Sequence, residues 1–262
     1  MAESSDNRQV SQNPRHSGER YWSERFARHF NPRGTGHRDY STSYNRWMYR
    51  AKHRALRRAL RGFQPSRALD VGSGTGWCVE KLLRAGISVD GCDITEISVT
   101  ELRRRHGNRG TNFFQLAIGE DSIPRPDASY ELVTALDVMY HIVSREQFEA
   151  ALTELSRVLR PGGRMIVTDG LTGVNRTPAE HVHFRSVDRW RDASASHGLQ
   201  LREVRPLYRW LSRPREAGPF RRLPDAVRGP IEYSLERVAP REAHMHCAVL
   251  ERVNDRSVRP PA

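Results

Sequence analysis

Asp70, Gly72, Gly74 and Gly76 occupy alternate positions in one stretch, ALDVGSGTGWCVEKLL, from Ala68 to Leu83. Residues 68–71 read as the end of a buried strand. Trp77, Val79, Leu82 and Leu83 recur at helical spacing behind the glycines. Strand, glycine turn and helix together open a nucleotide-binding βαβ unit. The first glycine lets the chain reverse, and the others let backbone approach a ligand with no Cβ in the way. The new helix points its free N–H groups at that ligand. A dinucleotide site spaces its glycines G-x-G-x-x-G and would need glycine at position 77. Trp77 stands there instead.

A second acid, Asp93, lies 21 residues after Gly72, at the end of the strand-like run from Ile87. An acid at about that distance binds a ribose hydroxyl pair in such folds, because a carboxylate can accept from both hydroxyls. Its other reading is a cap for the helix beginning near Thr95, although Thr95 can serve as cap itself. Asp90 competes for the ribose but comes too early.

These residues need elements to hold them. Tyr21, Trp22, Phe26 and Phe30 predict a short amphipathic helix ended by Asn31-Pro32, followed by a flexible loop at residues 34–37. Ser43 is the expected cap of a second helix carrying Trp47, Met48, Ala51, Ala55, Leu56 and Leu60. Its opposite face, Arg46, Arg50, Arg54, Arg57, Arg58 and Arg61, reads as a solvated surface or a basic patch. A helix is expected over residues 96–106 and strands over 112–116 and 130–136. A further helix follows Ser144 and stops at Pro161-Gly162-Gly163, before a strand over 164–168 that ends at Asp169. Residues 186–197 read as a helix closed by Gly198. Residues 199–208 and 243–253 alternate like strands, separated by a Pro- and Arg-rich insertion at 212–240. Residues 1–20, with one Val before Tyr21 and no aromatic, read as a disordered tail, and residues 254–262 as a loose one.

The pattern D-x-G-x-G-x-G from Asp70 to Gly76 is similar to motif I of the class I S-adenosylmethionine (SAM) dependent methyltransferases. DASYELVTALDVMYHI and LSRVLRPGGRMIVTDG closely resemble the middle of the same family. With Asp93, the resemblance covers residues 66–170. It implies an α/β, Rossmann-like fold with a seven-stranded, mostly parallel sheet and an antiparallel C-terminal hairpin. Helices would cover both faces, and residues 21–62 would form an N-terminal helical lid. Residues 63–253 would be the methyltransferase domain, with the insertion shaping the acceptor pocket.

The resemblance also implies a SAM site built from Asp70, Gly72, Ser73, Gly74, Gly76, Asp93, Ile94, Ala117, Ile118, Leu136 and, from the lid, Tyr44. Family members often place an Asp where Ala117 stands. Adenine recognition would then fall to backbone near Ala117 and Ile118, or to Glu120.

Methyl transfer from a sulfonium is an in-line displacement, and aligning the reactants can contribute about 7–11 kcal/mol. An oxygen or nitrogen acceptor must also lose a proton, a task suited to histidine near neutral pH. Asp137, Tyr140, His141 and Asp169 follow the fourth and fifth strands, at the end of the sheet where ligands bind. Some sugar O-methyltransferases of the family carry a His matching His141 and an Asp matching Asp169. That implies a general base with its orienter. The plain alternative for His141 is an imidazole packed in a helix start, and His181 or His183 could replace it. His-x-His on a strand could suggest metal, but no third ligand accompanies it.

The implied function is methyl transfer to a small molecule, on a hydroxyl of a sugar, natural product or other metabolite. Alternatives are N- or C-methylation of a small molecule, an RNA or protein methyltransferase, or a non-catalytic SAM-binding protein. The loop at Asp137–Tyr140 lacks the [DNS]-P-P-[YF] motif of nucleic-acid amino-methyltransferases and the double-Glu loop of protein arginine methyltransferases.

Length and composition set the outer bounds. The 262 residues, 37% hydrophobic, make one large domain or a domain with additions. A net charge of +12 invites a nucleic-acid partner. Yet only Lys52 and Lys81 among 43 basic residues are lysines, which looks like a coding bias toward arginine. Nucleic acid is therefore not the expected partner. Cys78, Cys92 and Cys247 read as buried reduced thiols. No apolar run has signal-peptide or membrane-spanning character, so a cytoplasmic protein is expected.

Overall fold

Arg67–Val71 forms β1, an interior strand of a seven-stranded sheet in a computed structural model describing residues 14–37, 39–213, 219–220, 222–238 and 242–253. Parallel neighbours are β2 (Ser88–Asp93) and β4 (Tyr130–Ala135). β3 (Phe113–Gln115) lies outside β2, and β5 (Leu159–Asp169) lies outside β4. A small separate hairpin, β6 (Arg176–Ala179) and β7 (Val182–Phe184), follows β5 and was not expected from the sequence. The sheet ends with β8 (Leu199–Tyr208) and β9 (Met245–Arg252). β9 inserts antiparallel between β5 and β8, giving the order β3-β2-β1-β4-β5-β9-β8.

Strand alternation sorts the apolar residues between two cores. Leu69, Val71, Val133 and Val167 face one side, against Phe148 and Leu152 of α6 (Arg145–Val158) and Trp190 of α7 (Val187–Ser196). Ala68, Leu132 and Ile166 face the other, against Val79 of α4 (Trp77–Arg84), Leu102 of α5 (Glu96–His106) and Leu56 of α3 (Thr42–Ala59). The expected α/β sheet with helices on both faces is the observed one.

Three local expectations change. The N-terminal helix, α1, spans Pro14–Arg28, so residues 14–20 are helical rather than part of a tail, and the expected loop at Gly34 is inside a short helix, α2 (Pro32–Thr35). Residues 1–13 and 254–262 lie outside the described residues. The cap of α3 is Ser41, not Ser43: its hydroxyl accepts from the Tyr44 N–H. α6 ends at Val158, before the expected Pro161 stop. Leu159 is already extended, Arg160 directly before Pro161 is disfavoured in helical backbone, and residues 159–163 join β5.

The insertion supplies α8 (Asp225–Leu235), which packs along α3. Between them lies a buried ion pair, Arg228 to Glu232 at 2.7 Å. Glu232 also accepts from the Tyr44 hydroxyl, Tyr40 stacks on Tyr44 at 4.1 Å, and Asp225 accepts from the Ser41 N–H at 2.7 Å. Removing one partner of such a pair strands a buried charge. Arg228→Met should therefore destabilise the fold by about 3–5 kcal/mol, read as a lowered denaturant midpoint. A change under about 1 kcal/mol, the size for an exposed pair, would show the clamp to be solvated.

Candidate active site

The turn after β1 is built on left-handed backbone. Gly72 and Gly74 have φ of 64° and 52°, and a Cβ on Gly72 would stand 2.4 Å from a Val138 methyl carbon. A Cβ on Gly74 would meet Thr35 of α2 at 2.7 Å, so the turn lies against the N-terminal segment as well. Ser73 braces the loop: its N–H donates to the Cys92 carbonyl and its hydroxyl to the Asp70 carbonyl, both at 2.9 Å.

The turn opens onto a cavity of about 930 Å³ at the carboxyl ends of β1–β4. That volume suits a small-molecule site. Of the site residues expected from the sequence, Asp70, Gly72, Ser73, Gly74, Asp93, Ile94, Ala117, Ile118, Leu136 and His141 all line it.

Three expected residues do not line it. Tyr44 is fully buried on Glu232, facing α8. Gly76 serves packing: a Cβ there would lie 2.4 Å from a Leu102 methyl carbon of α5. Asp169 is fully buried, and its Oδ2 accepts from the Trp190 indole N–H at 2.9 Å. It makes no hydrogen bond to His141 among the described residues, so it does not orient that ring.

His141 sits half-buried in a single 3₁₀ turn, Met139–His141, between β4 and α6. Its Nδ1 pairs with the His181 backbone carbonyl at 3.0 Å. The ring lies edge-on to Trp22 of α1 at 5.4 Å and parallel to the His181 ring at 6.0 Å. Burial lowers its pKa below the usual imidazole value. His181 also borders the cavity, whereas His183 turns to the Thr177 hydroxyl at 2.9 Å.

The carboxylates differ in their settings. Asp70 is buried, its Oδ1 accepts from Thr134 at 2.6 Å, and its Oδ2 has no hydrogen-bond partner among the described residues. Burial, against bonds from Thr134 and its neighbours, pushes this carboxyl up to about 6. Asp93 Oδ1 accepts from both the N–H and hydroxyl of Thr95, at 2.9 and 2.8 Å, and its Oδ2 accepts from the Gly74 N–H at 2.8 Å. Thr95, not Asp93, caps α5. With three acceptor directions in use, Asp93 keeps one for a hydroxyl rather than a free pair. At the β3 end the Ala117 N–H is held by Asp121 at 2.8 Å, and Glu120 accepts from Gln147 at 2.8 Å.

The sequence reading missed Lys52 of α3. It is 7% exposed on the cavity wall and forms an ion pair with Asp137 of the loop after β4. Burial alone would raise the Asp137 pKa, but Lys52 beside it holds it below the usual value. Asp137 is fixed in left-handed backbone, φ 63°, with its N–H and Oδ1 both bonded to the Thr168 hydroxyl at 2.7 Å. A signal existed: Lys52 is one of two lysines in an arginine-rich chain.

A Rossmann-like sheet carrying a glycine turn, an acid at the end of its second strand and a large cavity places the chain in the doubly wound α/β class. Residues 68–163 match the family model described as a methyltransferase domain. A ubiquinone biosynthesis O-methyltransferase of Maricaulis maris is 30% identical over 118 residues, 45% of this chain and 44% of that one. A ubiquinone/menaquinone biosynthesis C-methyltransferase of Methylobacterium nodulans is 32% identical over 152 residues, 56% of each. The O-methyltransferase of a trans-AT PKS multienzyme of Brevibacillus brevis, solved with S-adenosyl-L-homocysteine, superposes with a TM-score of 0.56 at 20% identity. That match covers 79% of this chain and 75% of that one. Residues 68–163 thus match a methyltransferase domain, and the fold around them is shared with the Brevibacillus brevis enzyme. The chain spans about half the length of the curated relatives it matches.

Asp70 supplies a prediction with a definite sign. A carboxyl raised in the fold contributes stability below its unfolded pKa and loses it as pH rises through the folded one. For Asp70 the loss runs from near 3.8 to about 6. Asp70→Asn should melt higher than wild type above pH 6 without ligand, and the gap should close toward pH 4. Thermal melts across that range decide it, and a constant gap would contradict the buried, unpartnered Oδ2.

Proposed function

We propose that this chain transfers a methyl group from SAM to a hydroxyl of a small molecule, with His141 as general base. The observation that carries the reading is the convergence of the glycine turn, Asp70, Asp93 and His141 on one cavity. SAM supplies a methyl already activated on a sulfonium, so the chain's own work is alignment and proton removal.

The site fits such a ligand. Asp93 keeps an acceptor direction for a ribose hydroxyl, and the Asp70 Oδ2 waits for a donor. Gly72 and Gly74 keep side chains out of the turn that would meet the ligand. His141 donates its Nδ1 hydrogen to the His181 carbonyl, which leaves the lone pair on Nε2. Its lowered pKa keeps the ring neutral, and so basic, at pH 7. The His181 carbonyl takes over the orienting role first expected of Asp169.

The wall chemistry favours a small acceptor over a nucleic acid. Asp70, Asp93, Glu120, Asp137 and Glu180 line the cavity, and Lys52 is the only Lys or Arg among the described residues that does. Phosphate recognition asks for the opposite balance. Two of the three similar proteins above are named as O-methyltransferases. Among the described residues no helix is long and apolar enough to cross a membrane, and the three buried free thiols suit a reducing cytoplasm.

Residues 21–62 act as the lid in this reading, but the two parts of the lid differ. Tyr21, Trp22, Phe26 and Thr35 of α1 and α2 border the cavity. On α3 Tyr49 does so, while Tyr44 and Trp47, with Tyr40 just before the helix, pack toward α8. Amide exchange on adding S-adenosylhomocysteine should slow across residues 18–36 and change little over 44–56. Slowing confined to α3 would reverse the assignment.

For catalysis, labelled SAM with metabolite extracts identifies the acceptor. His141→Ala should then lower kcat about 10²–10⁴-fold with SAM affinity kept. The wild-type rate should rise with pH through a pKa below 6.5, and the variant should lose that limb. Near wild-type turnover by a folded His141→Ala protein would assign the proton to another group or the methyl to carbon.

A further inference from the structure

The sheet order gives the ligand a direction. Ala117 follows β3, Asp93 ends β2, the glycine turn follows β1, and Asp137 follows β4. Adjacent strands lie about 4.8 Å apart, so β3 to β4 spans about 14 Å. An adenosyl ligand with its base at β3 and its ribose at β2 must carry its far end to β1 and β4. The far end of SAM bears an ammonium and a carboxylate.

Asp70 presents a buried, unpartnered oxygen there, suited to the ammonium. The carboxylate needs a cation, and the cavity wall offers one. Lys52 has Asp137 as its ion-pair partner, and its Nζ lies 4.5 Å from the Tyr49 ring centre. The Tyr49 hydroxyl bonds Thr35, which reaches Thr75 of the glycine turn at 3.4 Å. This places Lys52 over the loop end of the cavity. An ammonium has three donors, so Lys52 can hold a ligand carboxylate without releasing Asp137.

We propose that Lys52, presented by the N-terminal helix α3 and held by Asp137, binds the carboxylate of the methionyl end of SAM. The inference rests on the SAM reading of the cavity. Asp137 then has a positioning role: anchored through Thr168 and left-handed backbone, it aims the ammonium and balances its charge before ligand arrives. The pair also ties α3 to the core strand β4, so the segment before motif I contributes directly to the site.

Calorimetry with two probes tests it. S-adenosylhomocysteine carries the amino-acid end, and 5′-methylthioadenosine lacks it. Lys52→Met should weaken S-adenosylhomocysteine binding tenfold or more and leave methylthioadenosine within twofold of wild type. Lys52→Arg should recover part of the loss. Because Lys52→Met strands the Asp137 charge, the double variant Lys52→Met/Asp137→Asn restores neutrality. It should melt near wild type and show the same selective loss. Equal weakening of both probes by the double variant, or unchanged S-adenosylhomocysteine affinity, overturns the role of Lys52. Wild type that binds neither probe overturns instead the SAM reading beneath it.

Discussion

The close approach of backbone at the turn after β1 is the constraint on which the rest of the molecule depends. Gly72 stands against Val138 of the loop after β4, Gly74 against Thr35 of the N-terminal segment, and Gly76 against Leu102 of α5. Each contact leaves no room for a Cβ, and each involves a different part of the chain. The turn is therefore a shared surface on which the N-terminal segment, the β4 loop and the second βα unit all rest. The same tightness keeps side chains out of the path of a ligand entering from the strand ends.

Charge follows a second, opposite arrangement. The chain carries +12 overall, and the exposed face of α3 shows Arg46, Arg50, Arg57 and Arg58 to solvent, with Arg61 just beyond its end. Among the described residues the cavity is lined by five carboxylates and one lysine. Arginine on the surface costs little, because water solvates it there. Inside, a carboxylate survives only where fixed donors or a paired cation offset its lost hydration. Asp93 and Asp137 have such partners, whereas Asp70 has one oxygen satisfied and one not. Burial still raises the carboxyls of both Asp70 and Asp93, whereas Lys52 holds that of Asp137 down. An acidic interior also matches a cationic sulfonium better than a phosphate chain.

Misplaced residues show where local reasoning stops. Tyr44 sits on a helix that does reach the site, yet its side chain points to Glu232 of an insertion more than 180 residues later. Helical periodicity fixes which residues share a face but not which of two neighbours that face meets. Asp169 ends its strand as expected, but alternation turns it away from the cavity to the Trp190 indole. The early end of α6 has a local cause, the proline at 161 constraining the backbone before it.

The chain alone determined the βα units and their order. Glycine spacing, alternation and caps such as Thr95, Ser144 and Ser186 act within a few residues, so they are written locally. Asp70 and Asp93 were legible as cavity residues because each lies at a strand end, and His141 because it lies in the loop after β4, where an α/β sheet gathers its ligand contacts. Tertiary structure decided the remainder. Lys52 joins Asp137 across 85 residues, the β6–β7 hairpin brings a carbonyl to His141, and the insertion fastens α3 from behind. Such pairings depend on which faces meet when the sheet closes. No local pattern encodes that meeting, because burial and partner choice belong to the packed whole.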